Sequence, residues 1–580
     1  MRSRVRLLIP LLAVGLLTAC TGGAETPARS PAPAAAAVPG GESLPRHETL
    51  YTSGTQWGPP ANWNPLREWD FATGTKGLVY ETLFLYDPSI DRLIPWLAES
   101  GSWTGEKEYT LKLRKGITWA DGEPFTAEDV VFTFELGKLE TVPYHQLWEW
   151  LARAEAVDQH TVRFTFTEAN HQEWSTHLYS RAIVPKHLWE VRSEEEVMNG
   201  ANENPIGTGP YAYHSHDQDR MVWVRRDGWW ATKVIGKRVA PKYIVDIVNS
   251  SNEVAMDWLL QKHLDLSNNF LPGVANLVTG DFGLQTYYNR PPYMLAANTA
   301  WLVMNTKKKP MDDPVFRRAL AHAIDTRKIV EGVYQNLVQA ANPTGLLPQW
   351  SKYIDQDVVN RLGFFYSPAK AKELLIDAGY RDRDGDGFME SPSGAKIALK
   401  IAVPAGWTDW MEAARVISEG AKGAGINLEP EFPDYNALVD ARNSGKFDMV
   451  LNNDRQLAST PWRYYDFIFR LPVRKQQTTA NFGRYENKQA WRLVRELDGV
   501  RTDDVEGMKR IISRLQEIHL REMPIIPLWY NGLWAQMTSA VWTNWPSEAM
   551  GAPKHAPSMW RDWMEMGGLL MLTELRPAAG

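Results

Sequence analysis

A single cysteine in 580 residues excludes an intramolecular disulfide framework, a cysteine-based zinc site and an iron–sulfur cluster held by this chain alone. Positive charge is not in surplus. Sixty-three Lys and Arg face 69 Asp and Glu, a net charge of −6, which argues against a nucleic-acid binder. The apolar run Leu7–Leu17, broken by Pro10 and Gly15, is too short to span a bilayer. There is no Walker A, HExxH, GxSxG or GxGxxG, so the local signatures of ATPases, zincins, serine hydrolases and Rossmann enzymes are missing. No repeat of 20–50 residues is present, which argues against a solenoid or propeller. Glycoside hydrolysis stays open, because it needs only two carboxylates brought together by the fold.

What the chain has in excess is tryptophan: 26, against 21 Tyr and 18 Phe. The remainder is ordinary for a globular protein, at 44% hydrophobic and 23% charged. The length implies two to four domains or lobes.

Arg2, Arg4 and Arg6, the short apolar run, and then Leu17-Thr18-Ala19-Cys20 read as a secretory signal over residues 1–20. LTAC resembles the lipobox of bacterial lipoproteins, which implies that Cys20 is acylated and begins the mature chain. Residues 21–47 are rich in Pro, Ala and Gly and read as an extended tether. The globular body is thus expected outside the cytoplasmic membrane, anchored by lipid or in a periplasm.

Within the body, YTLKLRKG (109–116) and TVRFTFTE (161–168) alternate, as half-buried strands do, with Tyr109, Leu111 and Leu113 on one face and Val162, Phe164 and Phe166 on another. Thr126 with Asp129 forms a capping-box pattern. Asp313-Pro314 and Ser367-Pro368 open helices, the second stopping at Gly379, and Met508, Ile511, Ile512, Leu515 and Ile518 keep helical spacing. Strands and helices interleave, so the class is α/β or α+β with several lobes.

Asp382, Asp384, Asp386 and Gly387 imitate the start of a calcium loop, but the twelfth position is Ser393 rather than Glu; the reading is a Gly-rich turn with solvated carboxylates. His214 and His216 are read as an exposed turn, not metal ligands, and Lys307–Lys309 as a solvated loop. No metal, cofactor or catalytic group is expected.

Several stretches set Trp beside amides or carboxylates. They are Trp57, Asn62, Trp63, Asn64 and Trp69; Asn268, Asn269 and Phe270; Trp407, Asp409 and Trp410; Asn452, Asn453 and Asp454; and Trp529, Tyr530, Asn531 and Trp534. Flat rings stack on the C–H faces of a sugar, and amides and carboxylates bond its hydroxyls. Trp229-Trp230 and Trp542–Trp545 read instead as lobe packing.

The stretches LRKGITWADGEPFTAEDVVFTFE (113–135), NPIGTGPY (204–211), Asn305 through FRRALAHAID (316–325) and PIIPLWYNGLW (524–534) resemble the extracellular solute-binding proteins of family 5, the peptide/nickel-type binding subunits of ABC importers. The resemblance covers nearly all of residues 49–580. It implies a bilobal periplasmic-binding-protein-like α/β fold of the large peptide-binding type, with three domains and a hinged interlobe cleft. Domain I would comprise 48–90, 205–303 and 524–580, domain II 91–204, and domain III 304–523. It further implies a monomer that is not an enzyme and that presents its ligand to membrane permease subunits.

Peptide-binding members often carry an acidic residue after the strand that FDMVL (447–451) matches; Leu457 falls near that position, with Asp454 three residues away. QWGPPANWNP, NNFLPGV, GWTDWM and PLWYNGLWAQ resemble the cello- and manno-oligosaccharide-binding branch. The expected ligand is therefore a β-linked oligosaccharide, such as cellobiose or a longer β-1,4-glucan or mannan. An oligopeptide or dipeptide is the alternative, and a secreted glycan-active enzyme the remote one. Expected ligand-binding residues are Trp57, Trp63, Asn64, Asn268, Trp407, Asp409, Trp410, Asn452, Asn453, Tyr530, Asn531 and Trp534.

Overall fold

The computed structural model describes residues 44–67, 71–88, 92–280, 282–453, 459–550, 555–559, 563–564 and 567–578. Cys20, the tether up to residue 43, Trp69, Asp454 and Leu457 lie outside the described residues.

Local signals in the sequence open the elements where expected. The Thr126 N–H donates to Asp129 Oδ2 at 2.8 Å and starts the helix Ala127–Glu135. Asp313 Oδ1 accepts the Val315 N–H at 2.8 Å and Pro314 fills the first turn of Pro314–Ala323. Ser367 Oγ accepts the Lys370 N–H at 3.2 Å ahead of Pro368–Asp377, and the chain leaves this helix at Gly379, whose φ of 89° a side chain would strain. The strands Glu108–Leu113 and Thr161–Phe166 bury the residues that alternation assigns to their inner faces. They are the middle pair of a four-stranded sheet flanked by Ala98–Trp103 and Leu151–Asp158.

Two larger sheets carry the rest. In the seven-stranded sheet Thr49–Ser53 lies between Tyr243–Ile247 and Leu266–Ser267, parallel to both. In the six-stranded sheet Leu295–Met304 lies between Ile525–Leu533 and Met449–Asn452, antiparallel to both.

The hydrophobic residues divide accordingly. One core joins the seven- and four-stranded sheets, with Leu50, Tyr211, Leu266 and Met537 in the same cluster as Leu111, Phe164 and Trp174. A second lies on the six-stranded sheet, with Trp301, Val303, Val450 and Tyr530 against Trp462, Phe467, Leu493 and Leu515. Glu81, fully buried in the first body, accepts the indole N–H of Trp96 at 2.8 Å, of Trp229 at 3.3 Å and of Trp230 at 2.7 Å. The Trp pairs expected to pack are buried: Trp229, Trp230, Trp542 and Trp545.

The bodies are joined by two adjacent stretches of chain. Leu284–Gln285 and Gln536–Thr538 pair in the seven-stranded sheet, while Leu295–Met304 and Ile525–Leu533 pair in the six-stranded one. The crossings are thus 286–294 and 534–535. Strand pairing groups 295–304 and 525–533 with the six-stranded body, whereas the expected division put 205–303 and 524–580 in domain I. The fold is α/β and bilobal, its two bodies joined at a paired crossing.

Candidate ligand site

Successive side chains of a strand point to opposite faces. Along Ile525–Leu533 this separates Tyr530 from its neighbours. The Tyr530 hydroxyl donates to the Leu346 carbonyl at 2.6 Å and accepts the Asn342 N–H at 2.9 Å. Burial pushes its pKa up to about 12. Tyr530 belongs to the second core, so its expected ligand contact is replaced by a packing role.

Trp529 and Asn531 face the other way. Trp529 heads a continuous run of ring contacts. Its ring lies 5.7 Å from Trp410 at 76° and 5.3 Å from Tyr334 at 42°. Tyr334 lies nearly parallel to Trp534, at 19° and 6.4 Å, and edge-on to Phe270 at 5.5 Å. Phe270 also meets Trp534 at 5.2 Å. In the other direction Trp410 meets Trp407 edge-on at 5.6 Å, and Trp407 meets Tyr435 at 5.9 Å and 31°. The run ends in the open: Trp407 is 42% exposed and Tyr435 55%. It draws Phe270 from the seven-stranded body to the crossing residue Trp534, then to residues of the six-stranded body.

Asp409 lies in the first turn of Thr408–Gly423 and accepts the Tyr334 hydroxyl at 3.2 Å. Burial raises its pKa, against backbone N–H groups at the helix start that lower it. Tyr334, itself buried, is pushed well above its ordinary value by burial and by this carboxylate. The pair fixes the tilt of the Tyr334 ring within the run.

Amides border the aromatics. Asn298 stands opposite Asn531 on the paired strands, and the side-chain oxygen of each is buried with no partner among the described residues. Gln536 is fully buried, and both its amide atoms lack a partner among the described residues. It lies in one cross-strand row with Ser267 and Ser53, whose Oγ is also unpaired. Asn269 Nδ2 donates to Asn249 Oδ1 at 2.7 Å, leaving Asn269 Oδ1 and Asn249 Nδ2 over. A buried polar atom without a protein partner is open to water or a ligand; among the described residues the same holds in the second core for Trp301 Nε1, Trp350 Nε1 and the Tyr464 hydroxyl.

The other expected residues divide. Asn268 donates to the Trp534 carbonyl at 2.5 Å and accepts the Met559 N–H at 2.9 Å, so it positions Trp534 rather than offering its amide outward. Asn64 is fully buried; it donates to the carbonyls of Val197 at 2.7 Å and Gly200 at 3.3 Å and accepts the Leu66 N–H at 3.0 Å, which makes it a loop fastener. Trp63 is buried against Tyr213 and His216. Trp57 is 63% exposed, outside the contact run. Asn452 is buried opposite Trp301 and Asn453 half-buried, next to residues outside the described set. Trp407, Asp409, Trp410 and Trp534 do come together through Tyr334 and Trp529, and Asn531 is two residues along the strand from Trp529. The choice of site residues omitted Tyr334, Trp529, Tyr435, Asn298 and Gln536. Trp529 and Gln536 fall within the quoted PLWYNGLWAQ, but nothing local singles out Tyr334 or Asn298.

The acidic loop is a turn, as read. Asp382 accepts the N–H of Gly385 at 2.8 Å and of Gly387 at 3.0 Å. Asp382, Asp384 and Glu390 bring oxygens within 4.8 Å of one another, but Lys396 Nζ pairs with Asp384 at 2.5 Å and Asp386 at 3.2 Å. His214 and His216 lie on the strand Tyr211–His216 rather than in a turn. No described helix is long and apolar enough to cross a membrane.

Comparison with known proteins bears on this arrangement. Residues 92–471 match the family described as "Bacterial extracellular solute-binding proteins, family 5 Middle". Among curated relatives, the oligopeptide-binding protein AppA of Bacillus subtilis is 25% identical over 438 residues, covering 74% of this chain and 77% of that protein. The dipeptide-binding protein of Escherichia coli is 27% identical, covering 52% of this chain and 58% of its own length. Among solved structures, a periplasmic oligopeptide-binding protein of an oligopeptide ABC transporter from Thermotoga maritima, crystallised with bound mannohexaose, is 44% identical with a TM-score of 0.85, covering 93% of this chain and all of that one.

Proposed function

The chain belongs to the bacterial extracellular solute-binding proteins of family 5, and on that premise we propose that it captures β-linked oligosaccharides and delivers them to an ABC importer. Cellobiose and longer β-1,4-gluco- or manno-oligosaccharides are the ligand class, and Cys20 is the lipid anchor that keeps the protein at the outer face of the membrane. The observation that carries the reading is the aromatic run from Phe270 to Tyr435, bordered by unpaired neutral amides. Rings offer stacking faces and amides offer donors and acceptors, the two needs of an uncharged polyhydroxylated chain. The mannohexaose held by the Thermotoga relative supports the same class.

Ligand drives closure only by contacts it gains in the closed state. Stacking on Trp407 and Trp410 from one lobe, and bonds to Asn531 and Gln536 on the strands that flank the crossing, supply such contacts. Neither needs bond cleavage, so the sugar leaves as it arrived.

A peptide ligand is the second reading, favoured by the names of the B. subtilis and E. coli relatives. A thermal-shift screen of the full chain separates the two. It would include cellobiose, cellopentaose, mannobiose, mannohexaose, xylobiose and a mixed peptide library. A ligand of the native state raises the melting temperature with concentration over Kd. The proposal expects shifts with β-oligosaccharides; shifts with peptides alone would overturn it.

A further inference from the structure

The two bodies meet again at a seam that the ligand reading does not use. The helix His171–Ser180 leaves the four-stranded sheet and lies against Trp462–Phe469 and Lys488–Asp498 of the other body. Its apolar residues Trp174, Leu178 and Tyr179 turn into the first core. Trp462, Phe467, Leu493 and Val494 turn into the second.

What crosses between them is polar. Gln172 Nε2 donates to the Val500 carbonyl at 2.7 Å, and the Glu173 N–H to Asp498 Oδ1 at 3.0 Å. The hydroxyls of Ser175 and Ser459 are 2.8 Å apart, and the Ser459 N–H donates to the Tyr179 hydroxyl at 3.3 Å. Arg470 donates to Gln146 Oε1 at 3.1 Å while gripping Asp466 within its own body. Arg495 pairs with Glu168 across the seam and with Asp498 on its own helix.

Permanent contacts between folded bodies are as apolar as a core cut in half, whereas contacts made to separate are polar. Two faces of this kind are both soluble when apart. The seam is also finely balanced. Asp498 is fully buried and its carboxyl is raised well above its ordinary value, by lost hydration first and then by Glu173 and Asp466, against the pull of Arg495. Desolvation of paired charges offsets much of their attraction, so the seam does not shut the cleft alone.

We propose that the seam is a reversible latch, formed as the cleft closes, whose residues set the affinity for every cargo without touching it. Gln146, Glu168, Gln172 and Ser175 on one side and Ser459, Arg470, Arg495 and Asp498 on the other are positioning residues in this sense. The apparent Kd is the intrinsic one divided by the competent fraction, so a weaker latch weakens all ligands by one factor. The inference rests on the chain being a cleft-closing binding protein, not on which ligand it takes.

The test uses the full chain carrying Glu168→Gln with Gln172→Ala, and separately Ser175→Ala, with mannohexaose and cellobiose as probes. The latch predicts an unchanged melting temperature without sugar. It also predicts faster dissociation and a Kd raised by one shared factor, about tenfold for a tenfold smaller closed fraction. Unchanged Kd with a lower melting temperature would overturn it, as fixed packing would give. Different factors for the two sugars would also overturn it, as direct ligand contact would give. A second arm needs no ligand. Ser175→Cys with Ser459→Cys places two thiols at the seam, and an added oxidant should join them at a rate that falls when Glu168→Gln and Gln172→Ala are added. A rate indifferent to those changes would sink the latch even if neither sugar binds, whereas sugars that fail to bind wild type count against the ligand reading alone.

Discussion

Asn298 and Asn531 stand opposite each other on antiparallel neighbours, and the side-chain oxygen of each is buried with no partner among the described residues. An unsatisfied buried acceptor costs about 1–3 kcal/mol. Replacing either Asn by Ala removes that cost. The ligand-free protein should therefore keep or raise its melting temperature, while mannohexaose binding weakens by about 1–3 kcal/mol. Calorimetric titration beside a melting curve reads both. Asn64→Ala should do the reverse, lowering stability with affinity unchanged, because its amide fastens backbone.

Trp407 and Trp410 touch but differ in exposure, at 42% and 5%. Trp407→Ala should leave the melting temperature within a degree or so and weaken sugar binding by roughly 1–3 kcal/mol, by analogy with base stacking on aromatic platforms. Trp410→Ala should also lower stability by about 3–5 kcal/mol, because it opens a cavity beside Trp529. Urea unfolding of both variants without sugar distinguishes the two cases.

Glu81 holds three indole N–H groups in a buried site that raises its carboxyl pKa, burial being the cause. Glu81→Ala would orphan all three donors at about 1–3 kcal/mol each. The expected result is failure to fold or a melting temperature lower by many degrees. Glu81→Gln keeps an acceptor for one or two of them and should lie between that variant and wild type.

Two buried groups make stability depend on pH in opposite senses. Asp246, fully buried, accepts the Thr52 hydroxyl at 2.8 Å, and burial raises its pKa from 3.8 to about 7. Folded protein holds this proton where the unfolded chain has lost it. The contribution is complete below about pH 4 and is lost as pH rises through about 7, on the order of 4 kcal/mol at 1.36 per unit. Buried His519 runs the other way: its pKa falls from 6.5 to about 4, so stability is lost as pH drops through that window. The two windows overlap, so the opposing slopes nearly cancel between about pH 4 and 6.5, and Asp246→Asn should unmask the His519 contribution as a melting temperature that rises with pH across that range. A pH dependence between about pH 4 and 7 unchanged in Asp246→Asn would remove Asp246 as a contributor.

Much of the fold was legible because it is written in local rules. Thr126 with Asp129, Asp313 with Pro314, and the alternation of Tyr109, Leu111 and Leu113 act within a few residues of themselves. The site was legible only in part. Trp407, Trp410 and Trp534 were marked by joint occurrence with amides, and the fold brings them together through Tyr334 and Trp529. Tyr530 carries the same local mark, yet strand alternation turns it into the core. Tyr334 carries no mark, since its place between Trp529 and Trp534 depends on three distant segments meeting. Asn64 and Asn268 show the same limit, because an amide that fastens backbone and one that meets a ligand look alike in sequence.

The central claim is that an uncharged oligosaccharide occupies the aromatic and amide cleft. Isothermal titration of the full chain with mannohexaose, with the sugar recovered and sized afterwards, tests it most directly. The expected result is saturable heat at one site per chain, weakened in Trp407→Ala and Asn531→Ala, with the hexaose intact. Absence of heat with mannohexaose, cellopentaose and cellobiose, alongside saturable heat with peptides, would contradict it.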